Sequence, residues 1–564
     1  MSNLINTAMS GLNGAQVALS TVGNNISNQA VAGYSRQNAL LSQAVSTSTS
    51  AGYIGNGVNV VGINREYNEF ISTQLRAAQT KSSSVTTSYE QLSKIDNLLA
   101  DNATSLSSTL QDFFTNLQSL SSNADDSSTR QTVLGKAEGL VNQFQVTDKY
   151  LKDTAEGLNT QIQSTVQQIN TYSSQIAELN DQITRLTGAN QGALPNDLLD
   201  QRDQLVNELN KLVGVDVTVQ DGNVYNVSLK NGLNLVQGTR TNELTASGSS
   251  SDPSRITVGY MDKIAGATEV KESSITGGSL SALLSFRTDT LDDVSNQLGQ
   301  MALAFADAFN TQHKEGFDLN GEKGEDFFTV GSPSVLKGSK NKGSAELTAS
   351  YTATSEVKAS NYTLKYDGTD WQVTRLSDNA KFTATVDSSD SSLNFDGLKL
   401  TVSGTPSAND TFTLKPVADV ITGMGVAITD SSKIAAASAK LDENGDPQLD
   451  SNGNPVSGGV SDNTNAQALL NLQSKKVVEG KSTITDAYAS LISNVGNQTK
   501  TMEINSTSQG NVVTQLTEEQ QSVSGVNLDE EYGELMRYQQ YYQANASVIQ
   551  TASVIFDALL SIRG

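Results

Sequence analysis

Residues 528–562 read LDEEYGELMRYQQYYQANASVIQTASVIFDALLSI, with no Pro and Gly533 as the only Gly. Leu535, Tyr538, Tyr542, Ile549, Ala552, Phe556 and Leu559 recur at heptad spacing, and Asn545 is the one polar residue in that seam. A second row, Val548, Ala552, Ile555, Leu559 and Ile562, widens the apolar face toward the end. The pattern predicts one helix of roughly 50 Å. Asn527 can cap it, and Asp529, Glu530 and Glu531 suit the positive end of its dipole. A helix with so much apolar face needs partner helices. It is either a C-terminal core helix or an assembly helix.

The other end of the chain carries a matching pattern. Ala8, Leu12, Ala15, Leu19, Val22 and Ile26 step by fours and threes, and Arg36 is the only charged side chain before residue 65. Soluble surface helices usually carry many Lys and Glu. An uncharged helix with a small-residue seam suits burial among copies of itself or close relatives. Assembly-type helices at both ends suggest that the termini meet while the middle loops out.

The chain has 564 residues, enough for three or four domains. A net charge of −23 argues against nucleic acid, which needs a basic face, and against anionic membranes. The absence of Cys excludes disulfides, thiolate catalysis and Cys-based metal sites. No apolar run approaches the ~20 residues of a membrane span, so membrane insertion is not expected. The start, MSNLINTAMSGLNG, lacks the basic region and apolar core of a secretory signal peptide.

After the first helix come Asn24-Asn25-Ile26-Ser27-Asn28 and Gly33-Tyr34-Ser35-Arg36-Gln37, and residues 38–63 read as an extended linker with a hairpin. With Ala18-Leu19, these residues form an "AL…NNI.N….GYSRQ" pattern. It resembles the N-terminal signature of the rod, hook and hook-associated proteins of the bacterial flagellum. The Tyr-Ser-Arg-Gln ending is most similar to the branch at the hook–filament junction. A mid-chain stretch from Asn310 through His313, Gly316 and Asp318 to Phe327-Phe328 is similar to the same branch, as is the Tyr-Gln-rich C-terminal helix.

Residues 66–122 read as helix, interrupted at Asp101-Asn102 and Ser121-Ser122-Asn123. Over 130–187, Leu158, Ile162, Thr165, Ile169, Tyr172, Ile176, Leu179, Ile183 and Leu186 form an unbroken ladder. After a break at Gly188–Pro195 it resumes with Leu198, Arg202, Leu205, Leu209 and Leu212, which predicts an αα-hairpin. Val215–Leu229 alternates as a β-hairpin, with strand-like pieces to about residue 275. From Gly277 a core-like helix runs through Leu280, Leu283, Leu284, Leu291, Val294, Leu298, Met301, Phe305 and Phe309. Residues 322–462 are Gly-, Ser- and Asp-rich with short alternating runs. Tyr362–Tyr366 and Trp371–Leu376 form one hairpin there, turning at Asp367-Gly368. Helical periodicity returns from Asn463.

The expected fold is multidomain α+β: an elongated helical bundle built from both chain ends and long helical hairpins, with an inserted antiparallel β domain projecting outward. The expected divisions are a terminal coiled-coil assembly domain (1–50 and 515–564), an elongated helical domain (51–321 and 463–514, with a β-hairpin region near 215–275) and an outer β domain (322–462).

Little chemistry is legible. His313 is the only His; no Gly-x-Ser-x-Gly elbow surrounds a Ser that could form a triad with it, no other His or Cys could join it on a metal, and a structural role at a helix end fits it best. Asp442, Asn444 and Asp446 have calcium-loop spacing. Pro447 stands where Gly is needed, however, and the block nearly repeats at 450–455, so paired Asn-Gly turns are the better account. No phosphate loop, catalytic residue or cofactor is expected. The resemblance implies a structural flagellar subunit, outside the cell at the hook–filament junction. Its partners would be copies of itself in a ring-like layer, the hook protein and the next hook-associated junction protein. It also implies a flagellar export chaperone on residues 535–562 and passage through the flagellar type III export apparatus. The alternatives are a secreted adhesin or glycan-acting protein carried by the β domain, and a hook or filament subunit.

Overall fold

A computed structural model describes residues 2–50, 52–100, 105–190, 192–262, 266–387 and 390–561. Its helices are α1 (Ser2–Asn28), α2 (Glu69–Ala100), α3 (Leu106–Ser122), α4 (Ser127–Ala189) and α5 (Asn196–Leu212), then α6 (Gly278–Phe286), α7 (Asp292–Glu315), α8 (Thr464–Asn471), α9 (Ile484–Ser524) and α10 (Leu528–Ser561). The fold is α+β. No helix among the described residues is long and apolar enough to cross a membrane.

The two chain ends lie together, α1 packing along α10. Between them, the strands Gln37–Gln43 and Val58–Arg65 pair in an antiparallel hairpin that spans residue 50. α4, at 63 residues, is the spine of the body and spans about 95 Å. Asp126 caps its start, accepting from the Thr129 N–H at 2.8 Å. α3 and α5 fold back on α4, and α9 lies along α2. The interruption expected at Asp101-Asn102 lies outside the described residues.

The α4 stripe differs from the expected ladder. Leu158, Ile162, Ile169, Ile176, Leu179 and Ile183 are buried as expected, but Val166, Ser173 and Asn180 are buried where Thr165 and Tyr172 were read, and Leu186 is exposed. A straight helix drifts against a strict heptad, so over this length the buried face moves to neighbouring positions. The helix read from Gly277 is also broken. A π-helical turn, Arg287–Leu291, separates α6 from α7. The wider turn keeps Leu284 and Leu291 both in the core and brings Arg287 inward, where it donates to the Ile256 carbonyl at 2.7 Å and pairs with Glu272.

Val215–Gln220 and Val224–Leu229 form the expected hairpin within a four-stranded sheet, and a separate three-stranded sheet follows. The inserted region holds an antiparallel five-stranded sheet and a three-stranded one. Tyr362 pairs with Arg375 and Tyr366 with Trp371, and Trp371 is buried against Phe412. This region does not merely project. The Ser339 N–H donates to the Ser250 carbonyl at 2.7 Å, the Thr413 hydroxyl donates to the Ser251 carbonyl at 3.0 Å, and Lys415 pairs with Asp252 at 2.6 Å.

The body's core centres on Phe113, Phe305, Phe309, Phe327 and Phe328, whose rings meet at centroid distances of 4.8–6.3 Å. The calcium-like block is a pair of Asx turns. Asp442 Oδ1 accepts from the N–H groups of Asn444 and Asp446, and Asp450 Oδ1 accepts from those of Asn452 and Asn454.

Candidate assembly site at the joined chain ends

α1 can approach α10 because its inner face is small. Ala8, Ala15, Ala18 and Val22 are buried, and Leu12, Leu19 and Ile26 are partly so. Asn545, the polar break in the α10 seam, lies over Gly11, where a Cβ would come within 2.5 Å of its side chain. On α10, Ala552 is buried, Leu535, Tyr538 and Ile549 are half-buried, and Tyr542, Phe556 and Leu559 are exposed. Ile562 lies outside the described residues. Phe556 and Leu559 keep 49% and 52% of their surface in water, and Tyr532, Met536, Tyr541, Val554, Ile555 and Leu560 are exposed beside them. One chain thus covers one side of α10 and leaves a long apolar side open, which marks an interaction surface.

The signature residues form the joint between this helix pair and the body. Asn25 is buried. Its Nδ2 donates to the Gln37 carbonyl at 2.9 Å and to Glu531 at 3.0 Å, and its Oδ1 accepts from the Gln37 N–H and the Tyr34 hydroxyl. Arg36 Nε donates to Glu531 at 2.7 Å and its Nη1 to Glu530 at 2.9 Å. Glu531 is therefore a fully buried carboxylate with two partners, as burial of a charge requires. Burial alone would lower the Arg36 pKa, and the Glu531 and Glu530 carboxylates outweigh it. Burial, with Asp200 and Glu531 nearby, pushes the Tyr34 phenol up to about 12, so it stays a donor. Asn24 touches the edge of this cluster, its Nδ2 donating to the Tyr34 hydroxyl at 3.4 Å, and Asn28 donates back to Asn24. Gly33, beyond the end of α1, makes a left-handed turn at φ +82°, and a Cβ there would come 3.0 Å from Gln204.

Ser35 faces the body. Its N–H and hydroxyl both donate to Asp200 of α5, at 2.9 and 2.8 Å. Arg65, at the end of the returning strand, donates to Asp200 at 2.8 Å and lies 2.7 Å from Asp203. Burial would lower the Arg65 pKa, and Asp203 with Asp200 outweighs it. Burial pushes the Asp200 carboxyl up, opposed by the Ser35 donors and Arg65. Beneath them Arg202, read as a ladder position, is wholly buried. It stacks on the Tyr225 ring at 3.4 Å and donates to Asn180 at 3.0 Å. Sequence reading missed the roles of Arg65, Asp200 and Asp203 and took Glu531 only as a dipole partner. The available signal was a charged residue inside an otherwise apolar α5 seam.

His313, Gly316 and Asp318 belong elsewhere, at the end of α7. His313 is buried, with Nδ1 2.7 Å from the Glu325 carbonyl and Nε2 accepting from the Ala435 N–H at 2.9 Å. This arrangement requires the neutral ring protonated on Nδ1. Burial lowers its pKa, and the bond to Glu325 only partly offsets this. At Gly316 a Cβ would run into Asn465, and Asp318 accepts from the N–H groups of Asn320 and Glu322. These residues pin the exit of α7 to the returning chain at 435 and 465.

Comparison with known proteins covers both the body and the ends. Residues 92–328 match the family model described as the flagellar hook-associated protein FlgK helical domain, and residues 336–416 the D2-like domain of flagellar hook-associated protein 1. Residues 5–34 match the flagella basal body rod protein model, and 519–562 the C-terminal model of the flagellar basal body rod FlgEFG proteins. Flagellar hook-associated protein 1 of Escherichia coli (strain K12) is 56% identical over 564 residues, covering 100% of both chains. That of Salmonella typhimurium is 57% identical over 565 residues, again covering 100% of both. The structure of the flagellar hook junction protein FlgK from Burkholderia pseudomallei superposes with a TM-score of 0.73 at 31% identity, over 80% of this chain and 100% of that one. The chain belongs to the flagellar hook-associated protein 1 family.

Proposed function

We propose that this chain is a structural subunit of the bacterial flagellum that joins hook to filament and polymerises through its terminal helices. The observation that carries the reading is the open apolar side of α10, backed by α1, on a chain alike from end to end to hook-associated proteins. An apolar face of that length is stable in water only when a neighbour covers it. The neighbours are copies of the same chain in a ring-like layer, the hook protein below and the next hook-associated junction protein above. Before assembly, the face from Leu535 to Leu559 requires an export chaperone, and the chain leaves through the flagellar type III apparatus to work outside the cell. The working divisions are the terminal assembly segments (1–50 and 515–564), the helical domain (51–321 and 463–514) and the outer β domain (322–462). The adhesin or glycan-acting alternative has no observation in its favour. Asp378 and Asp396 of the outer domain are bound to Arg375, and Asp390 to Lys399.

Deletion of the chromosomal gene tests this reading. Electron microscopy is expected to show hooks without filaments, with filament protein shed as monomer into the medium. Normal filaments would overturn it.

A further inference from the structure

Arg36 and Arg65 are the only charged side chains in the first 65 residues. They sit at neighbouring positions at the base of one hairpin, where Gln37 pairs with Arg65 and Glu66 binds Arg36. Arg36 reaches α10 through Glu531 and Glu530, whereas Arg65 reaches α5 through Asp200 and Asp203. The helix pair with its hairpin joins the body near residues 66 and 525, and the loop at residue 35 runs beside both. Backbone bonds tie these segments side by side: the Arg36 N–H donates to the Ser524 carbonyl at 2.9 Å, and the Glu66 N–H to the Arg36 carbonyl at 2.7 Å. The side chains continue the connection inward. Ser35 and Arg65 converge on Asp200, Asp203 accepts from the Tyr225 hydroxyl at 2.8 Å, Tyr225 stacks on Arg202, and Arg202 binds Asn180 of the spine. The side chains of Arg65, Asp200 and Asp203 are only 8–12% exposed, so solvent and salt weaken these pairs little.

We propose that Arg65, Asp200 and Asp203 are positioning residues that form a latch. The latch sets the angle of the paired terminal helices on the helical body and carries load across the joint, so that the linkers do not bear it alone. This rests on the junction reading above. A joint between a driven hook and a filament is loaded in every turn, and a crossing held only by rotatable backbone would bend first.

The chain has no Cys, so an introduced pair can form only one disulfide within it. In the double variant Ser35→Cys, Asp200→Cys, the reduced form loses every bond of the latch to Asp200 and keeps only the Arg65–Asp203 pair, and the oxidised form replaces the lost bonds with a covalent one. Cells carrying only this full-length variant are sheared under reducing and oxidising conditions. Filament retention is counted by microscopy, and hook-tip occupancy by immunogold labelling. The expected result is a disulfide within one chain, a several-fold greater filament loss when reduced, and parental retention when oxidised. No disulfide, or equal retention in both states, overturns the latch. Hook tips unlabelled with the parent chain would instead overturn the junction reading. If the double variant fails to reach hook tips, Arg65→Lys and Arg65→Gln decide the matter. The closest approach of Arg65 to each carboxylate is through the same Nη1, a geometry that a single ammonium can imitate. Lys is expected to retain filaments and Gln to lose them, and equal behaviour of the two overturns the proposal.

Discussion

α4 and α10 carry the same kind of apolar repeat and use it differently. Along α4, buried positions run from Arg130 to Ile183, each turn meeting another element of the same chain. Along α10, only Glu531 and Ala552 are buried among the described residues. The repeat therefore specifies a helix that needs company, and it is silent on whether that company is the same molecule or another. Their surroundings separate the two. α4 has Lys, Arg, Asp and Glu on its outer side, while α1, which packs along α10, has no charge at all.

Four changes sharpen or break this contrast. The largest effect is expected from Phe113→Ala, which empties the centre of the aromatic cluster. Thermal unfolding of the full chain should show about 3–5 kcal/mol lost. An unchanged melt would mean that the body is not the stable partner in the comparison. Next is Glu531→Ala, which leaves Arg36 with Glu530 alone and removes one of Asn25's acceptors. A loss of about 2 kcal/mol should fall on the helix pair alone. It would be seen as faster proteolysis within α1 and α10, with the body's melting unaffected.

Acid should act on the body through His313. Its folded pKa is depressed, so below the ordinary value of 6.5 the unfolded chain takes up a proton that the folded one refuses. Stability present at neutral pH is then lost as pH falls through 6.5. Asp326 and Asp318 face the ring and oppose this, while Arg130 reinforces it. The melting temperature should therefore decline from pH 7 to 5.5, and His313→Asn should remove the part of that slope due to this ring. Equal slopes would exclude the buried ring as the cause. The smallest effect on stability is expected from Phe556→Ala, about 1 kcal/mol in the isolated chain because only half of the residue is covered there. The same variant should fail to occupy hook tips. If it destabilised the monomer as Phe113→Ala does, the open side of α10 would have to be covered within one chain.

The sequence made the long helices, the Val215–Leu229 hairpin and the Tyr362–Arg375 hairpin legible because each follows from local periodicity and turn chemistry. Asn25, Tyr34 and Arg36 stood out through resemblance, without their bonds. What pairs with them could not be read, since Asp200 and Glu531 come from distant segments and look like ordinary surface acids in one dimension. The π turn at Arg287 and the drift of the α4 stripe were hidden for a different reason. The π turn depends on where neighbouring elements press, and the drift is the mismatch between 3.6 residues per turn and a strict heptad, which a ladder read at heptad spacing conceals.

The bond from Asn25 to Glu531 spans 506 positions. Closing a flexible loop of that size costs about 5.5 kcal/mol in chain entropy. The body shortens that loop drastically, because folding it brings residues 36, 66 and 524 within hydrogen-bond distance of one another. The helical body thus acts as a jig in time as well as a support in space. α1 is synthesised before α10 and must wait for it, and the pair should zip up only after everything between them has folded.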